Sequence, residues 1–310
     1  MFKKIHVVVA VSALFLTACG QSSSSSVESA APTSAASFPV TIENNGTSVT
    51  IDEQPSAIIS LSATATEILF AIDAGDQVIA VDDQSNYPAD APISDLSGFT
   101  PNLESIVALS PDLVVVSFDT DGIVAALNAA NVPVLVQYAA TSLEDTYSQI
   151  QELGVATGMA ANSDALVESM KTQITAAISG LPAGSSGLTY YHELDDTLYS
   201  VSSATFVGAV YALAGLTNIA DAATGAESGY PQLSPEFIVA ANPNLIFLAD
   251  TKCCGQTAET IAQRPGFAEL SAVSSGNVVE LDDDIASRWG PRTVDFVKAV
   301  VEAVSKASAN

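Results

Sequence analysis

Short apolar runs alternate with segments of helical spacing along most of the chain. The runs at 58–61 and 78–81 are typical of buried parallel strands, and residues 62–74 between them have the apolar spacing of a helix. Further strands are predicted at 113–116, 134–136, 188–192, 245–249 and 278–281, and further helices at 102–109, 123–130, 205–214, 235–241, 258–263 and 291–305. Strands that alternate with helices predict an α/β fold with mainly parallel sheets.

A segment without strand pattern separates the two α/β regions. Residues 142–180 show helical spacing that is interrupted around 154–161, which predicts two helices. Ser142 and Asp145 have the spacing of a capping box, and Asn162 is the predicted cap of the second helix. The pattern therefore predicts two α/β lobes that are joined by helices.

The start of the chain has the layout of a secretory signal peptide. Lys3 and Lys4 precede an apolar stretch at 7–16, which is too short to span a bilayer as a helix. The run Leu16-Thr17-Ala18-Cys19 resembles the lipobox of bacterial lipoproteins, in which the cysteine becomes the first mature residue and carries the lipid. An ordinary signal peptide with an incidental cysteine is the alternative. On the first interpretation the protein works outside the cytoplasmic membrane and is anchored to it by the lipid on Cys19.

Five parts are predicted along the chain. They are a lipoprotein signal peptide at 1–18, a Ser- and Ala-rich tether at 19–37, an N-terminal α/β lobe at 38–141, connecting helices at 142–180 and a C-terminal α/β lobe at 181–310. The N-terminal lobe opens with apolar and polar alternation around Asn45-Gly46, which predicts a β-hairpin.

The charge balance limits the partners of the protein. The chain has 35 acidic and 9 basic residues, for a net charge of −26. Such a charge argues against nucleic acid and against an anionic membrane surface as partners. It fits an exported protein that docks on something basic, although a generally acidic proteome or a saline habitat would explain it equally well.

Cysteine use is sparse, because only the adjacent pair Cys253-Cys254 accompanies Cys19. This is no disulfide framework, and two thiols without a nearby histidine do not make a zinc site. The adjacent pair is interpreted either as a vicinal disulfide or as two buried small side chains. If the pair contacts ligand, its double replacement by serine should weaken binding.

A segment of about a dozen residues recurs in the second half of the chain. The helix, Asn/Ser-Pro break and strand that begin at Asn102 are repeated from Ser234 onward, with Glu104 and Glu236 at equivalent places. Each glutamate falls in the first turn of its predicted helix, where the helix dipole favours a carboxylate. Helix–Pro–strand units are common in α/β folds, but the paired glutamates indicate two similar halves.

Five segments in this order and spacing resemble the periplasmic binding proteins for cobalamin, ferric siderophores and haem. They are residues 58–82, 85–91, 102–116, 230–236 and 281–295, and the resemblance extends from about 38 to 304. It implies the class III type of fold, with two Rossmann-like lobes joined by a long rigid helix and a ligand cleft between them. It also implies no catalysis, and delivery of ligand to an ABC permease that is powered by a cytoplasmic ATPase.

The resemblance also assigns roles to particular residues. Glu104 and Glu236 match the two glutamates that dock on permease arginines, whereas Glu67 is interpreted as structural or rim-lining. The expected ligand-binding residues are Phe99, Tyr199, Tyr230, Asp284, Arg288 and Trp289. The first five fall where cobalamin binders of the family contact ligand, and Trp289 is the single tryptophan, in a polar loop.

The nature of the ligand is left open among three chemistries. Few cationic residues follow the signal peptide, which disfavours a strongly anionic chelate. A corrinoid is favoured, a ferric hydroxamate fits nearly as well, and haem is third because His192 is the single histidine after the signal peptide and is more typical of a structural residue. No metal site or cofactor of the protein itself is expected, and cobalt or iron is expected only as part of the ligand. The protein is expected to be a monomer. An extracellular hydrolase is a remote alternative, since the chain has no Gly-x-Ser-x-Gly elbow.

Overall fold

The computed structural model describes residues 37–309. The strands are β1 (Val40–Asn44), β2 (Thr47–Ile51), β3 (Ile58–Leu61), β4 (Val78–Val81), β5 (Leu113–Val116), β6 (Val134–Val136), β7 (Thr189–Glu193), β8 (Thr217–Asn218), β9 (Leu245–Leu248) and β10 (Val278–Glu280). The helices are α1 (Ala63–Ala71), α2 (Leu103–Ala108), α3 (Ile123–Ala129), α4 (Leu143–Thr157), α5 (Ala160–Ser179), α6 (Phe206–Leu213), α7 (Pro235–Ala241), α8 (Thr251–Cys254), α9 (Ala258–Ala262), α10 (Ser271–Ser274), α11 (Asp283–Ser287) and α12 (Thr293–Ala309). The predicted signal peptide, Cys19 and almost all of the predicted tether lie outside the described residues.

Two parallel four-stranded sheets form the centres of two α/β lobes, which confirms the predicted fold class. The order is β4-β3-β5-β6 in the first sheet and β10-β9-β7-β8 in the second. Every residue of β3, β5 and β9 is buried, as is typical of parallel strands that are covered on both faces. The antiparallel β1–β2 hairpin turns at Asn45-Gly46 as predicted.

The two halves repeat each other in detail. Asp112 lies just before β5, and its carboxylate accepts a hydrogen bond from the backbone N–H of Ala57 at 3.0 Å. Asn244 lies just before β9, and its side chain accepts one from the N–H of Thr189 at 2.9 Å. In both lobes a side chain thus joins the amino ends of the two central strands, which extends the recurrence seen in the sequence.

One apolar core continues through both lobes and the helices that connect them. A single cluster of buried side chains includes Ile58 of β3, Ile150 of α4, Met170 of α5, Phe247 of β9 and Val300 of α12. Because the connecting helices share their core with both sheets, the lobes are joined by packed apolar surface as well as by the chain.

The connecting helices confirm one predicted cap and contradict the other. The capping box of Ser142 and Asp145 is present at the start of α4. Asn162 does not cap α5, which begins earlier with Met159 at the cap position. Asn162 lies inside the helix, where its side chain donates to the carbonyl of Ile72 and to Asp73, so a tertiary contact explains this asparagine.

Candidate functional site

A cavity of about 450 Å³ opens at the carboxyl ends of β3, β4 and β5. Loops that follow parallel strands meet at this edge of a sheet, which is where ligands of α/β proteins bind. Its lining comes from both halves of the chain: Leu61, Ser62, Ala63, Thr64, Asp82, Gln84, Gly98, Phe99, Ser117, Phe118, Ala139, Ser287, Arg288 and Trp289. Three of the predicted ligand-binding residues, Phe99, Arg288 and Trp289, are therefore brought together.

Phe99 projects from a loop that passes very close to the sheet. A Cβ atom on the neighbouring Gly98 would lie 2.6 Å from Asp82 Oδ2 and 2.7 Å from the carbonyl oxygen of Leu61. Only glycine fits at that position, and the residue that follows it, Phe99, lines the cavity. The ring is 62% exposed and lies 6.0 Å from the ring of Phe118, centroid to centroid. Two aromatic faces are thus available to a flat, partly apolar ligand.

Trp289 also lines the cavity and is more buried than its polar sequence context indicates. The indole packs against the apolar core, and its Nε1–H donates to Gln149 Oε1 of α4 at 2.9 Å. One face lines the cavity while the polar edge is satisfied, so the ring has a fixed orientation.

Arg288 is held by carboxylates from both lobes. It donates to Glu67 at 2.8 Å, to Asp284 at 2.7 Å and to the carbonyl of Gln84 at 3.0 Å. Arg292 donates two further hydrogen bonds to Glu67, whose side chain is 1% exposed. We call Glu67, Asp284, Arg288 and Arg292 the inter-lobe clasp.

The clasp agrees with the expected role of Glu67 and changes that of Asp284. The structural interpretation of Glu67 agrees with its position, because its buried carboxylate binds both arginines of the clasp. Asp284 accepts hydrogen bonds from Asn86 at 3.1 Å and from Lys252 at 3.0 Å, and it lies outside the cavity lining. Partial burial by itself would raise the pKa of Asp284. The hydrogen bond from Lys252 and the positive charge of Arg288 outweigh this effect, so the pKa of Asp284 lies below its usual value.

Tyr199 and Tyr230 lie together on the C-terminal lobe and do not line the cavity. Tyr199 follows the carboxyl end of β7 and forms an isolated antiparallel bridge with Gln232. The two residues are 40% and 52% exposed. They therefore provide an exposed aromatic pair on the lobe opposite Phe99.

The two glutamates of the repeat occupy the same place in their helices. Asn102 caps α2 and Ser234 caps α7, so Glu104 and Glu236 are each the second helical residue. Both side chains are exposed. Each helix runs back to the amino end of the strand that follows it, which puts each glutamate on the carboxyl-end side of its sheet.

His192 is a buried structural residue. Its ring is fully buried in β7, and Nδ1 lies 2.8 Å from the hydroxyl of Tyr211. Burial lowers the pKa of His192 to about 3, so the ring is neutral at physiological pH. It does not face the cavity lining.

A second buried charged cluster lies at the carboxyl ends of β7 and β9. Arg264 donates to both carboxylate oxygens of Glu193, at 2.7 and 2.6 Å. Asp250 is fully buried, and neither of its carboxylate oxygens has a hydrogen-bond donor among the described residues. Burial, followed by the neighbouring charge of Glu193, raises the pKa of Asp250 to about 8.

This cluster predicts a pH-dependent stability. A carboxyl group whose pKa is raised by folding stabilises the fold below its unfolded pKa of about 3.9, and that contribution is lost as the pH rises through about 8. The variant Asp250→Asn lacks this titrating group, so its unfolding free energy relative to wild type should rise by about 4 kcal/mol from pH 5 to pH 9. Urea titrations at both pH values measure the difference, with the exposed Asp196→Asn as the matched control. Equal pH dependence in Asp250→Asn and wild type would contradict this prediction.

The vicinal cysteines differ from both interpretations made from the sequence. Cys253 and Cys254 are exposed, which contradicts burial, and they are free thiols rather than a disulfide. They lie in the short helix α8, in a segment expected to be a loop. Residues 283–287 were likewise expected to be a loop and form α11.

Sequence reasoning missed Phe118 as a cavity residue. It comes two residues after the carboxyl end of β5, and an aromatic residue there is the signal that would have found it. Gln149 gave no comparable signal, because its contact with Trp289 crosses 140 positions of the chain. Within residues 37–309, no three His, Cys, Asp or Glu side chains come together in a way that could hold a metal ion.

Comparisons with known proteins agree with this architecture. A sequence profile of the family described as "Periplasmic binding protein" matches residues 58–285, so the chain belongs to that family, whose members bind substrates for transport and are not enzymes. The chain is 29% identical over 305 residues to an uncharacterized ABC transporter substrate-binding lipoprotein, YvrC, of Bacillus subtilis, covering 95% of this chain and 94% of the relative.

Two further relatives are named for their ligand. A cobalamin-binding protein of Halobacterium salinarum is 29% identical over 279 residues, covering 87% of this chain and 75% of that protein. The crystal structure of the periplasmic vitamin B12 binding protein BtuF of Vibrio cholerae superposes with a TM-score of 0.69 at 25% identity, covering 83% of this chain and 99% of the other. The fold is thus the class III type of periplasmic binding protein. None of the described helices combines the length and apolar character that a membrane crossing needs.

Proposed function

We propose that the protein is the lipid-anchored, extracytoplasmic substrate-binding component of an ABC importer and that it captures a corrinoid, cobalamin above all, between its lobes. The cavity beside Trp289 carries this proposal. It offers Phe99, Phe118 and Trp289 to a bulky ring system, at the topological position where α/β proteins bind ligands.

The charge of the cavity supports a ligand without strong negative charge. Among the described residues that line it, Arg288 is the only cation, and its guanidinium is already bonded to Glu67, Asp284 and the carbonyl of Gln84. An anionic chelate would find no unpaired cation there, whereas a corrinoid is held by aromatic contacts and hydrogen bonds. A corrinoid is larger than the cavity, so it would extend toward Tyr199 and Tyr230 on the other lobe.

A ferric hydroxamate is the second candidate, because it too lacks strong negative charge. Haem fits less well, since His192 is buried and already contacts Tyr211 through Nδ1. The names of two relatives, a cobalamin-binding protein and a vitamin B12 binding protein, favour the corrinoid.

The membrane anchor and the partner follow from other residues. The lipobox-like Leu16-Thr17-Ala18-Cys19 supports lipidation at Cys19, and the relative YvrC is named a lipoprotein. Glu104 and Glu236, exposed at matching helix starts on both lobes, are the docking contacts for basic residues of a permease that a cytoplasmic ATPase powers. The protein acts as a monomer in this scheme.

The single tryptophan makes the ligand test direct. We expect cyanocobalamin to quench the fluorescence of Trp289 saturably, and ferrioxamine and haemin to need at least about tenfold higher concentrations. Free N-acetyltryptophanamide corrects for light absorbed by each ligand, and equilibrium dialysis gives an independent affinity. Tight binding of ferrioxamine or haemin with no binding of cyanocobalamin would overturn the corrinoid assignment, and absence of binding to all three would overturn the ligand class.

A further inference from the structure

The adjacent thiols of Cys253 and Cys254 have no part in the function proposed above. Both are exposed, and they form the last turn of α8, directly after the carboxyl end of β9. Their position matters because of what holds this short helix in place.

One carboxylate fixes the backbone of α8. Asp283 accepts hydrogen bonds from the backbone N–H groups of Thr251 at 2.9 Å, Lys252 at 3.0 Å and Cys253 at 2.9 Å. The hydroxyl of Thr251 donates to the same carboxylate at 2.8 Å. The geometry of α8 and the position of Asp283 therefore depend on each other.

Asp283 connects this helix to the wall of the cavity. It is the first residue of α11 and precedes Asp284, which binds Asn86 of the N-terminal lobe and Arg288 of the inter-lobe clasp. Lys252 of α8 also donates directly to Asp284. Two successive contacts, from Lys252 to Asp284 and from Asp284 to Arg288, thus connect α8 to the lobe interface and to the cavity wall.

A disulfide between adjacent residues cannot form on a helical turn. Consecutive Cα atoms are about 3.8 Å apart in any trans conformation, which is shorter than the roughly 4.4–6.8 Å usual for a disulfide, so a bond between neighbours is strained even in an unwound chain. In a helix with about 3.6 residues per turn, neighbouring side chains also point in different directions around the axis. Closing the bond requires α8 to unwind, which moves the N–H of Cys253 away from Asp283.

We propose that Cys253 and Cys254 are a reversible redox site whose oxidation unwinds α8 and loosens the inter-lobe clasp. The oxidant is an exogenous disulfide, R–S–S–R. The thiolate of Cys254 attacks one of its sulfurs and releases RS⁻; Cys253 then loses its proton and attacks the Cys254 sulfur, which releases the second RS⁻. Two protein thiols are oxidised to one disulfide, and R–S–S–R is reduced to two thiols after protonation.

Bond strain determines how easily the disulfide between Cys253 and Cys254 is reduced, and the pKa of the thiols determines how fast it forms. A bond that departs from usual disulfide geometry is strained and easily reduced, which makes the oxidation reversible. Partial desolvation of the exposed Cys253 thiol, together with its hydrogen bond to Cys254 and the negative charge of Asp283, raises its pKa to about 12. Because the thiolate is the nucleophile, ring closure should be slow at neutral pH and faster as the pH rises.

The test uses the full mature chain without any ligand, so its failure is distinct from a failure of the ligand assignment. The protein is treated with oxidised glutathione, and peptide mass mapping locates the product. We expect the peptide with both cysteines to lose two hydrogens, and hydrogen exchange at residues 251–253 and 283–288 to become at least about tenfold faster. Dithiothreitol should reverse both changes.

The double variant Cys253→Ser/Cys254→Ser is the matched control, and its exchange should not respond to glutathione. Its unoxidised exchange pattern also shows whether the substitutions themselves disturb α8. The proposal would be overturned if oxidation produced no vicinal disulfide and gave mixed disulfides with glutathione, or disulfides between two chains, instead. A vicinal disulfide that leaves exchange at 251–253 and 283–288 unchanged would overturn it as well.

Discussion

The variant Glu67→Gln is expected to lose about 3–5 kcal/mol of unfolding free energy, because it leaves the largely buried Arg292 without a carboxylate partner and takes one of two carboxylates from Arg288. The Glu67 carboxylate is 1% exposed and binds Arg288 and Arg292, whose side chains are 10% and 15% exposed. Glutamine keeps the size and one acceptor of glutamate but removes the negative charge that Arg288 and Arg292 share. Because solvent screens these largely buried charges little, the loss of unfolding free energy should approach the full cost of breaking a buried ion pair.

The midpoint of denaturant unfolding at constant slope measures this loss. Glu168→Gln is the matched control, since Glu168 is 75% exposed and lies 3.7 Å from Lys171 on the same helix surface. That substitution should cost no more than about 0.5 kcal/mol. A loss below about 1 kcal/mol in Glu67→Gln would mean that the clasp does not stabilise the contact between the lobes.

The double variant Glu104→Lys/Glu236→Lys is expected to lower cobalamin uptake by at least about a hundredfold, because like charges at an interface cost several kcal/mol. Both carboxylates are exposed at the second position of a helix and contact no part of the cavity. Affinity for ligand should therefore be unchanged while transport is lost. The split between binding and uptake distinguishes docking from a general defect.

Uptake of labelled cobalamin by cells that carry only the variant tests this prediction. Each single variant should retain part of the transport, since one lobe can still dock. Glu259→Lys makes the same charge change at another exposed first-turn position, on α9, and should transport normally. Normal uptake by the double variant would exclude the two glutamates as docking contacts.

Local signals in the sequence were sufficient for much of the fold. The apolar run of β5, the Asn45-Gly46 turn and the Ser142 capping box each depend on neighbours within a few residues. Asn162 was wrong as a cap because its partner, the carbonyl of Ile72, lies 90 positions away in the chain. A local pattern cannot distinguish an asparagine that caps a helix from one that binds a distant loop.

The candidate site was less predictable for the same reason. Phe99, Arg288 and Trp289 were correctly expected to be near one another from the order of strands and loops, since carboxyl ends of parallel strands share an edge. The commitment of Arg288 to Glu67 depends on a contact across 221 positions, and the sequence gave no sign of it. The exposure of Cys253 was also missed, because the helix that presents it is held by Asp283 from another segment.

Calorimetric titration of cyanocobalamin into the protein and two single variants tests the central claim, capture between the lobes, most directly. We predict saturation at one ligand per chain, and affinities at least about fivefold weaker in both Phe99→Ala and Tyr230→Ala, since each removes an aromatic contact from a different lobe. Leu213→Ala, an exposed apolar residue outside the cavity, should bind as wild type does. Unchanged affinity in both aromatic variants, or no saturable binding of cyanocobalamin to the wild-type chain, would contradict the account.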